Sequence, residues 1–416
     1  MKFETISVVG LGYIGLPTAA VIASNGIRVV GVDVNQHAVD TINQGMIHIV
    51  EPGLEDLVKR AVNDGHLTAH TSPQKADAFL IAVPTPFKGE EHEPDLKYIE
   101  SASRALAPML EKGNLVVLES TSPVGATEQM AKWLAEERSD LTFPHTVGEG
   151  QTPDIFVAHC PERVLPGQVI RELVENDRII GGMDEASTAA ATQVYKMFVK
   201  KGECIATSAR TAEMSKLTEN AFRDVNIAFA NELSLICDQQ GINVWELISL
   251  ANRHPRVNIL QPGCGVGGHC IAVDPWFIVN QNPETAKMIR QARLVNDYKP
   301  HYVVEQVEKA VAGIDNPKIA CLGLAFKPDI DDLRESPALD ITATLANNPS
   351  YEIFAVEPNI ETLPASLENR NNVRLSSVSD SIQQADVVVI LVKHQQFIGL
   401  QKNDIKSGLM LNFVNA

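Results

Sequence analysis

A glycine-rich segment in the second half of the chain places a thiol where chemistry could occur. Gly265–Pro275 reads GVGGHCIAVDP, so Cys270 closely follows the glycines and Asp274 lies four residues beyond it. Glycines allow backbone amides to approach a bound molecule, and a thiol beside a mobile loop is accessible to it. A single cysteine is a core residue by default. The glycines and the acid therefore make Cys270 a candidate nucleophile without deciding the matter alone.

A second glycine pattern, near the N-terminus, predicts a dinucleotide site. Gly10-Leu11-Gly12-Tyr13-Ile14-Gly15 directly follows the predicted strand Thr5–Val9 and opens a predicted helix. The first glycine permits a tight turn, the second lets pyrophosphate approach the backbone, and the third lets helix and strand pack closely. Asp33 ends the next predicted strand about 20 residues after Gly12, where an acid accepts hydrogen bonds from ribose hydroxyls and repels a 2′-phosphate. The pattern predicts NAD rather than NADP, although without this context a structural turn and a helix cap would be the default interpretations.

Apolar runs alternate with helix-length stretches in both terminal parts of the chain, which is typical of doubly wound α/β sheets. The predicted strands are Thr5–Val9, Arg28–Val32, Ala78–Val83, Leu115–Glu119, Lys318–Gly323, Tyr351–Val356 and Asp386–Val392. Between the two sets, apolar residues at helical spacing predict a long helix over Glu213–Ile248, with no strong breaker before Gly241. The predicted fold class is α/β, with two Rossmann-like doubly wound domains joined by a central long-helix region. Long central helices between two such lobes commonly form dimer interfaces, so a homodimer is expected.

The chain is strongly acidic. Its 416 residues include 35 Lys and Arg against 52 Asp and Glu, which gives a net charge of −17 at pH 7. Such a surface repels phosphate backbones and anionic lipid, so neither nucleic acid nor a membrane is an expected partner, and an anionic substrate would need a local cluster of Arg and Lys. Six cysteines with no close pairing apart from Cys264 and Cys270, together with an N-terminus unlike a signal peptide, predict a reduced, cytoplasmic protein.

Six ordered motifs identify a resemblance that covers essentially the whole chain. They are Gly10–Gly15, Ser120–Gly125, Cys160–Arg163, Glu213–Asn220, Gly267–Cys270, and Phe326–Asp329 with Leu333–Ser336. In these motifs the chain resembles the UDP-glucose/UDP-mannose dehydrogenase family. Three further segments resemble the branch that acts on N-acetylmannosamine: Glu162–Gly167, Arg223–Ala228 and Asn252–Arg256. UDP-glucose enzymes tend to carry a Phe-Leu pair after the equivalent of Glu162.

The resemblance implies a four-electron oxidation with two NAD. Its substrate would be a UDP-N-acetylhexosamine, most closely UDP-N-acetyl-D-mannosamine, whose C6 alcohol becomes a carboxylate. An aldehyde forms first, Cys270 adds to it as a thiohemiacetal, a second oxidation gives a thioester, and hydrolysis releases the uronic acid. The covalent link keeps the aldehyde from escaping while NADH is exchanged for NAD. The product, UDP-N-acetyl-D-mannosaminuronate, would be a precursor for bacterial surface polysaccharide, and no metal ion is predicted.

The resemblance also implies roles for single residues. Lys216 would move protons or stabilise an oxyanion, with Asn220 one helical turn later on the same face. Asp274 would position water or Lys216, and Glu162 would assist thioester hydrolysis. The predicted cofactor residues are Gly10, Gly12, Tyr13, Ile14, Gly15, Asp33, Thr85, Thr121, Thr127 and Arg334. The predicted substrate residues are Arg163, Val164, Lys216, Asn220, Arg223, His254, Arg256, Gly267 and Lys327.

Some of these assignments have alternatives. Thr127 fits a helix start equally well, and Arg163 and Arg223 stand where they could read the N-acetyl group. His254 or Arg256 would reach across a dimer interface. We predict residues 1–205 as the NAD-binding domain, 206–300 as a helical dimerisation and catalytic region, and 301–416 as a UDP-sugar-binding domain.

Other functions remain open from the sequence. The sugar could instead be UDP-N-acetylglucosamine or UDP-glucose, or the chain could be an NAD-binding sensor without turnover. The glycine motif alone also fits a two-electron hydroxyacid dehydrogenase, which would leave the cysteine loop without a role. Two departures from the family pattern stand out: Cys264 replaces a proline and is expected to loosen the loop, and the C-terminal segment lacks the usual ending of the last strand.

Overall fold

The protein is represented by a computed structural model that describes residues 2–89, 91–148, 150–165, 167–268 and 270–416. The chain divides into two compact units, Met1–Glu219 and Asn220–Ala416. Pro166 and His269, which belong to two of the motifs above, lie outside the described residues. The predicted domain boundaries at residues 205 and 300 stay a prediction.

The first unit is built on a mostly parallel sheet of eight strands. In chain order its strands and the small hairpin β5–β6 are β1 (Thr5–Val9), β2 (Arg28–Val32), β3 (Leu67–His70), β4 (Ala78–Ile81), β5 (Phe87–Lys88), β6 (Glu93–Pro94), β7 (Leu115–Leu118), β8 (Phe156–His159), β9 (Arg178–Gly182) and β10 (Cys204–Ser208). The order across the sheet is β3-β2-β1-β4-β7-β8-β9-β10, and only β8 and β9 pair antiparallel. Strands β4, β7 and β8 are buried on both faces, which explains their continuous apolar sequences.

Helices cover both faces of this sheet. They are α1 (Gly15–Ser24), α2 (Gln36–Asn43), α3 (Leu54–Asn63), α4 (Lys97–Leu106), α5 (Ala126–Glu137), α6 (Val169–Glu175) and α7 (Glu185–Tyr195). The long helix α8 (Ala209–Gln240) begins in this unit and ends in the second. Side chains fix several starts: the Asn35 carboxamide accepts from amides in the first turn of α2, and the Asp184 carboxylate accepts from the Ser187 amide in α7.

The topology creates a crevice at one edge of the sheet. β1 and β4 are neighbours, while the chain leaves β1 toward β2 and leaves β4 toward β7 on the opposite side. Loops that follow such a pair of strands separate from one another, and ligands bind in the gap between them. The Gly10–Gly15 motif and Thr85 follow β1 and β4 respectively, so the topology places both at this crevice.

The second unit combines helices with a smaller sheet. Beyond the end of α8 it contains α9 (Val244–Ala251), α10 (Asp274–Gln281), α11 (Lys287–Val311), β11 (Lys318–Leu322), α12 (Pro337–Leu345), β12 (Glu352–Val356), α13 (Ala365–Glu368), β13 (Val373–Leu375), α14 (Val378–Gln384), β14 (Val387–Ile390) and β15 (Met410–Asn412). The sheet order is β13-β12-β11-β14-β15, and every pair is parallel. The same reversal therefore occurs between β11 and β14. The α/β fold class predicted from the sequence is confirmed.

Most predicted elements match the observed ones. β1 and β2 have the predicted bounds, whereas β4 and β7 end slightly earlier. The predicted long helix is divided at Gly241, which has a φ of +67° and separates α8 from α9. The C-terminal segment forms strand β15 although its sequence departs from the family ending. Among the described residues, no helix is both long and apolar enough to span a membrane.

The second-unit part of α8 buries polar as well as apolar side chains. Asn220, Asp224, Asn231 and Ser234 are buried beside Ala221, Ala228, Ala230 and Cys237. Phe222, Phe229 and Ile236 are exposed and follow each other at intervals of seven residues, which places them along one stripe. The buried polar groups need hydrogen-bond partners inside the unit, and the apolar stripe is available to another surface.

A cluster of ionisable side chains lies buried at the carboxyl ends of β7 and β8. Tyr195 donates a hydrogen bond to Oε1 of Glu119, while Arg178 donates to Oε2 of Glu162 at 2.8 Å. Oε2 of Glu119 has no hydrogen-bond partner among the described residues. Burial raises the pKa of Glu119 to about 7, the bond from Tyr195 opposes the shift, and the charge of Glu162 adds to it. Glu119 is therefore close to half protonated at neutral pH.

This raised pKa makes the stability of the first unit depend on pH. In the unfolded chain Glu119 titrates near its ordinary pKa of 4.5, and in the folded chain near 7. The stability that its protonated form provides is complete below the ordinary pKa and is lost as the pH rises through the folded value. We expect Glu119→Gln, which stays neutral and keeps an acceptor for Tyr195, to flatten the fall in Tm between pH 6 and 8 by an amount worth about 1 kcal/mol.

Thermal unfolding at several pH values tests this expectation. Glu185→Gln removes an exposed carboxyl group from the same unit and should keep the wild-type slope of Tm against pH. Equal slopes in the wild type and in Glu119→Gln would show that Glu119 holds no proton in the folded chain at neutral pH.

Candidate active site

The three motif positions after β1 are glycine for different structural reasons. A Cβ on Gly10, whose φ is +92°, would lie 2.6 Å from the carbonyl oxygen of Ala82. A Cβ on Gly15 would lie 1.7 Å from the carbonyl oxygen of Gly10. Both positions are therefore glycine because the backbone packs against itself. A Cβ on Gly12 would have no described atom within 4 Å. The fold does not require glycine there, whereas a ligand lying on the backbone would.

Helix α1 begins directly behind this loop, and the Leu16 amide in its first turn donates to the Gly12 carbonyl oxygen at 3.1 Å. Ile14 occupies the position before the helix, and no described side chain caps it. The first turn also contains no acidic residue. An uncapped helix N-terminus with open backbone in front is a suitable site for the pyrophosphate of a dinucleotide. Tyr13 is half-exposed beside it.

Asp33 stabilises the same loop and keeps acceptor capacity. Its Oδ2 accepts a hydrogen bond from the Leu11 amide at 2.9 Å, and its Oδ1 accepts from the Asn35 amide at 2.9 Å. Each carboxylate oxygen has two lone-pair sites, so both can still accept a hydrogen bond from a ribose hydroxyl. The acid thus fixes the glycine loop and could bind the ribose at the same time.

The three threonines predicted near the cofactor differ in their surroundings. Thr85 follows β4, and its hydroxyl is buried without a hydrogen-bond partner among the described residues, which fits a site completed by a ligand. Thr121 is half-buried in the segment between β7 and α5. Thr127 lies in the first turn of α5, fully buried, and its hydroxyl donates to Glu213 at 2.6 Å. Thr127 thus occupies the helix-start position that the sequence offered as an alternative. Contact with a cofactor through its hydroxyl would require that hydroxyl to leave Glu213.

Glu213 opens the Glu213–Asn220 motif, and although the sequence predicts no role for it, the structure shows it to be a positioning residue. Its buried carboxylate accepts from the Gly125 amide at 2.7 Å and from the Thr127 amide at 2.8 Å. Both donors belong to the start of α5, so the N-terminal part of α8 is attached to the loop that follows β7. A glutamate among apolar positions near the start of a long helix was the available signal, since a buried carboxylate must have partners.

Glu162 and Arg163, which follow β8, are each held by an ion pair with another residue of the first unit. Glu162 is buried; besides the bond from Arg178, its Oε1 accepts from the Arg163 amide at 2.6 Å. The Arg163 guanidinium pairs with the carboxylate of Glu219, with an Nη2–Oε1 distance of 2.8 Å. Val164 packs on the apolar core of the sheet. Arg163 is therefore held toward α8, and its charge is already partly neutralised.

In the second unit, Cys270 lies immediately before α10. Its carbonyl oxygen accepts from the Asp274 amide at 2.8 Å, and its side chain is half-buried. Asp274 is 3% exposed, and its Oδ2 accepts from Nδ2 of Asn220 at 2.5 Å. The structure thus joins Asn220 to Asp274 through their side chains and Asp274 to Cys270 through the backbone. Lys216 is half-buried on α8, one helical turn before Asn220 in the chain.

The loop before Cys270 packs too closely for side chains. A Cβ on Gly267 would lie 2.5 Å from the carbonyl oxygen of Glu335, and the Gly268 amide donates to that same oxygen at 3.3 Å. Cys264 does not loosen the loop as expected from the sequence. It is buried, and its thiol donates to the Leu391 carbonyl oxygen at 3.4 Å. A small apolar side chain with a weak donor fills the position that a proline was expected to occupy.

The predicted cations of the second unit lie at its surface. Arg223, His254, Arg256 and Lys327 are exposed, and Nδ1 of His254 accepts from the Arg256 amide at 3.4 Å. Arg334 is exposed too, and its guanidinium pairs with Asp332 at 2.6 Å. Lys327 follows β11 at the reversal between β11 and β14, where ligands bind in such sheets.

Glu357 and His394 form a buried pair that sequence reasoning missed. Oε2 of Glu357 accepts from the Leu324 amide at 2.8 Å and faces Nε2 of His394 at 3.0 Å. Nδ1 of His394 accepts from the Asp329 amide at 2.9 Å. Burial alone would raise the pKa of Glu357, but its hydrogen bonds lower it below the ordinary value. An acid at the end of the second strand of this sheet, as Asp33 is in the first, was the signal that could have identified it.

Three models of one protein family match the chain in order. The NAD binding domain of the UDP-glucose/GDP-mannose dehydrogenase family matches residues 4–199, its central domain residues 210–298, and its UDP binding domain residues 320–414. The chain belongs to this family. The resemblance found in the sequence is thereby confirmed, with GDP-mannose in place of the UDP-mannose named above.

Relatives of this family member cover nearly its full length. It is 67% identical to a UDP-N-acetyl-D-mannosamine dehydrogenase of Campylobacter jejuni, over 98% of this chain and 99% of the relative. It is 63% identical to an NDP-N-acetyl-D-galactosaminuronic acid dehydrogenase of Ralstonia solanacearum, over 99% and 96%. A solved UDP-D-ManNAc dehydrogenase of Pyrococcus horikoshii superposes with a TM-score of 0.86 at 39% identity, over 99% and 95%. The chain is an NAD-dependent dehydrogenase, as its sequence predicted.

The contrast between Gly12 and Gly15 gives a direct test of the cofactor site. Gly12→Ala should leave the Tm of the unliganded protein unchanged, because the added methyl group meets no described atom, but it should weaken NAD binding at least about tenfold, which is ~1.4 kcal/mol. Gly15→Ala should lower the Tm without any ligand, because its methyl group overlaps the Gly10 carbonyl. Calorimetric titration with NAD and thermal unfolding measure the two effects. Wild-type NAD affinity in Gly12→Ala would contradict the assignment.

Proposed function

We propose that the chain is a UDP-N-acetyl-D-mannosamine 6-dehydrogenase that forms UDP-N-acetyl-D-mannosaminuronate. The observation that carries the proposal is the arrangement of Asn220, Asp274 and Cys270, in a chain 67% identical to a relative named for this activity. A hydroxyacid dehydrogenase that removes only two electrons would need no thiol in this glycine-rich loop. An NAD-binding sensor without turnover would have no reason to retain this set together with Lys216.

The proposed reaction removes four electrons in two steps. NAD, when bound, accepts one hydride in each step. The C6 alcohol first loses a hydride and its hydroxyl proton and becomes an aldehyde. The Cys270 thiolate then adds to the aldehyde carbon, and the thiohemiacetal loses a second hydride and a proton to give a thioester. Water replaces the sulfur, which leaves the carboxylate and restores the thiol. One alcohol, two NAD and one water thus give one carboxylate, two NADH and three protons.

We infer the roles of the surrounding groups from their chemistry. As a neutral amine Lys216 would accept the hydroxyl proton, and as an ammonium it would stabilise a developing oxyanion. Asn220 fixes the orientation of Asp274, whose carboxylate would position the attacking water. Glu162 would assist the hydrolysis as a base. Its carboxylate is held in place by buried Arg178.

The N-acetyl group of the sugar has broader support than its stereochemistry. Both named relatives cited above act on or form N-acetylated sugars, while one name specifies a mannosamine and the other a galactosaminuronic acid. Arg163 and Arg223 are the side chains proposed to read the acetamido oxygen, because a guanidinium presents several donors in a fixed plane. Lys327, His254 and Arg256 would bind the diphosphate or sugar, and Arg334 would bind NAD. UDP-N-acetylglucosamine and UDP-glucose are the alternative substrates.

The proposed assembly is a homodimer formed through α8. The exposed stripe of Phe222, Phe229 and Ile236 repeats every seven residues, which is the spacing that lets two helices pack along a common seam. Three large apolar side chains in one row are costly to leave in water. A second copy of the same helix would cover them.

Stoichiometry tests the proposed reaction. With UDP-N-acetyl-D-mannosamine, the wild type should form about two NADH per sugar consumed, as the covalent mechanism requires. Cys270→Ala should lose this turnover while NAD binding in the first unit is kept. One NADH per sugar would contradict the four-electron mechanism. Turnover of only UDP-N-acetylglucosamine or UDP-glucose would preserve the chemistry and change the substrate.

A charge in the apolar stripe tests the dimer. Phe229→Asp should convert the dimer into a monomer of 45.3 kDa at micromolar concentrations, because a desolvated carboxylate opposes the packing. Ile398→Asp is the matched control, since Ile398 is 56% exposed against 53% for Phe229 but lies outside α8. Light scattering after size-exclusion chromatography measures both masses. An unchanged mass in Phe229→Asp would exclude this stripe as the interface.

A further inference from the structure

A row of hydrogen-bonded side chains lies buried between α8 and α11 in the second unit. It consists of Asp224 and Asn231 on α8 and of Arg293 and Asn296 on α11. All four residues are at most 2% exposed. Apolar residues would fill the same space without the risk of unsatisfied groups, so polar side chains here need a specific reason.

The hydrogen bonds of this row run in one direction from end to end. The Gly263 amide donates to Oδ1 of Asn231 at 2.9 Å, and Nδ2 of Asn231 donates to Oδ1 of Asn296 at 2.9 Å. Nδ2 of Asn296 donates to Oδ1 of Asp224 at 2.8 Å. A backbone amide can only donate, and a carboxylate can only accept, so both carboxamides are fixed in a single orientation. We call the Gly263 amide, Asn231, Asn296 and Asp224 the amide relay.

The far end of the amide relay is held by an ion pair. Nη1 of Arg293 donates to Oδ1 of Asp224 at 2.6 Å, which fixes the carboxylate that receives the last hydrogen bond. Arg293 also pairs with Asp297 in the next turn of α11. The relay is therefore rigid at its acidic end. Its other end is the amide of Gly263, which is the beginning of the loop leading to Cys270.

Helix α8 holds this loop at both of its ends. Asn231 binds the entry through Gly263, and Asn220 binds the exit through Asp274, whose amide donates to the Cys270 carbonyl. The two asparagines are eleven residues apart, which is about three helical turns, so they lie on nearly the same side of the helix. Each carboxamide thus fixes one end of the segment that carries the proposed nucleophile.

We propose that Asn231 is a positioning residue for catalysis, which holds the entry of the Cys270 loop through the amide relay. The catalytic part of this inference rests on the proposed function, whereas the positioning itself does not. Loss of the bond to Gly263 would let the loop shift while the NAD site in the first unit stays intact. A displacement on the order of 1 Å can reduce turnover by up to about 100-fold.

Three substitutions separate positioning from general stability. Asn231→Leu keeps the size but removes the acceptor for the Gly263 amide. Asn231→Asp keeps that acceptor oxygen and loses the donor to Asn296. Ser234→Ala is the control, because Ser234 lies on the same buried side of α8. Among the described residues, its hydroxyl accepts from Lys299 and donates to the Asn231 carbonyl oxygen, not to the loop. The readouts are hydrogen exchange at Gly263, the rate of Cys270 alkylation by iodoacetamide, kcat, and NAD affinity.

The expected pattern differs between the variants. In the wild type the Gly263 amide should be protected from exchange. Asn231→Leu should lose this protection, change the alkylation rate of Cys270 severalfold, and lower kcat on the order of 10- to 100-fold with NAD affinity unchanged. Asn231→Asp should retain the protection although its buried charge lowers the Tm. Ser234→Ala should keep the wild-type exchange, alkylation and kcat.

Several results would overturn the inference. An unprotected Gly263 amide in the wild type would do so without any variant, even if Asn231→Leu fails to fold. Wild-type kcat in Asn231→Leu, despite lost protection, would show that the anchor has no catalytic role. If the wild type oxidises none of the UDP-sugars, the proposed function fails, while exchange and alkylation still decide whether Asn231 positions the loop.

Discussion

Asp274 is a carboxylate removed from water, and such a group must be hydrogen-bonded to remain charged at an acceptable cost. Asn220 supplies that bond from α8, and the Asp274 amide in turn binds the carbonyl of Cys270. The buried acid therefore connects α8 to the start of α10, and a backbone bond connects that start to the residue that carries the thiol. Further polar groups on the inner side of α8, which lie among buried alanines, also need hydrogen-bond partners.

In each sheet, an acid at the end of one strand accepts hydrogen bonds from the loop that follows the neighbouring strand, but the two acids differ in their remaining partners. In the first unit Asp33, at the end of β2, accepts from the loop after β1 and keeps acceptor capacity for a ribose. In the second unit Glu357, at the end of β12, accepts from the loop after β11. There the remaining capacity is used by His394, which continues to the backbone at Asp329. The acid in the second sheet is thus committed to positioning the segment with Lys327, which is consistent with a different ligand at that sheet.

Much of the fold could be predicted because each strand bears its own local signal. β1 and β2 are short apolar runs closed by Gly10 and Asp33, so their ends could be placed to the residue. β9 and β10 have weaker patterns; β10 is largely exposed, so neither burial nor alternation marks it in the sequence. The long helix was recognised from its period, and only the positive φ of Gly241 defines where it stops. The spacing of apolar residues therefore predicts the helix, whereas its end depends on the backbone conformation of Gly241.

The candidate site was predictable where residues belong to motifs and unpredictable where they act through hydrogen bonds to backbone. Cys270, Asp274 and Asn220 lie in motifs or close to one, and hydrogen bonds join Asn220 to Asp274 and Asp274 to the Cys270 backbone. Asn231 and His394 have no motif, because their partners are main-chain amides far away in sequence that any residue type can provide. Glu213 opens a motif, but its bonds to the amides at the start of α5 could not be predicted from it.

The partners of the predicted cationic residues could not be predicted from the sequence either. Arg163 is predicted to bind the substrate and Arg334 to bind NAD, yet each is paired with an acid, Glu219 and Asp332 respectively. Such pairing is expected in a chain whose 52 acidic residues outnumber its 35 basic ones. A ligand oxygen that binds either arginine, as proposed, would have to compete with a carboxylate. This competition favours a ligand whose acceptors match the guanidinium plane.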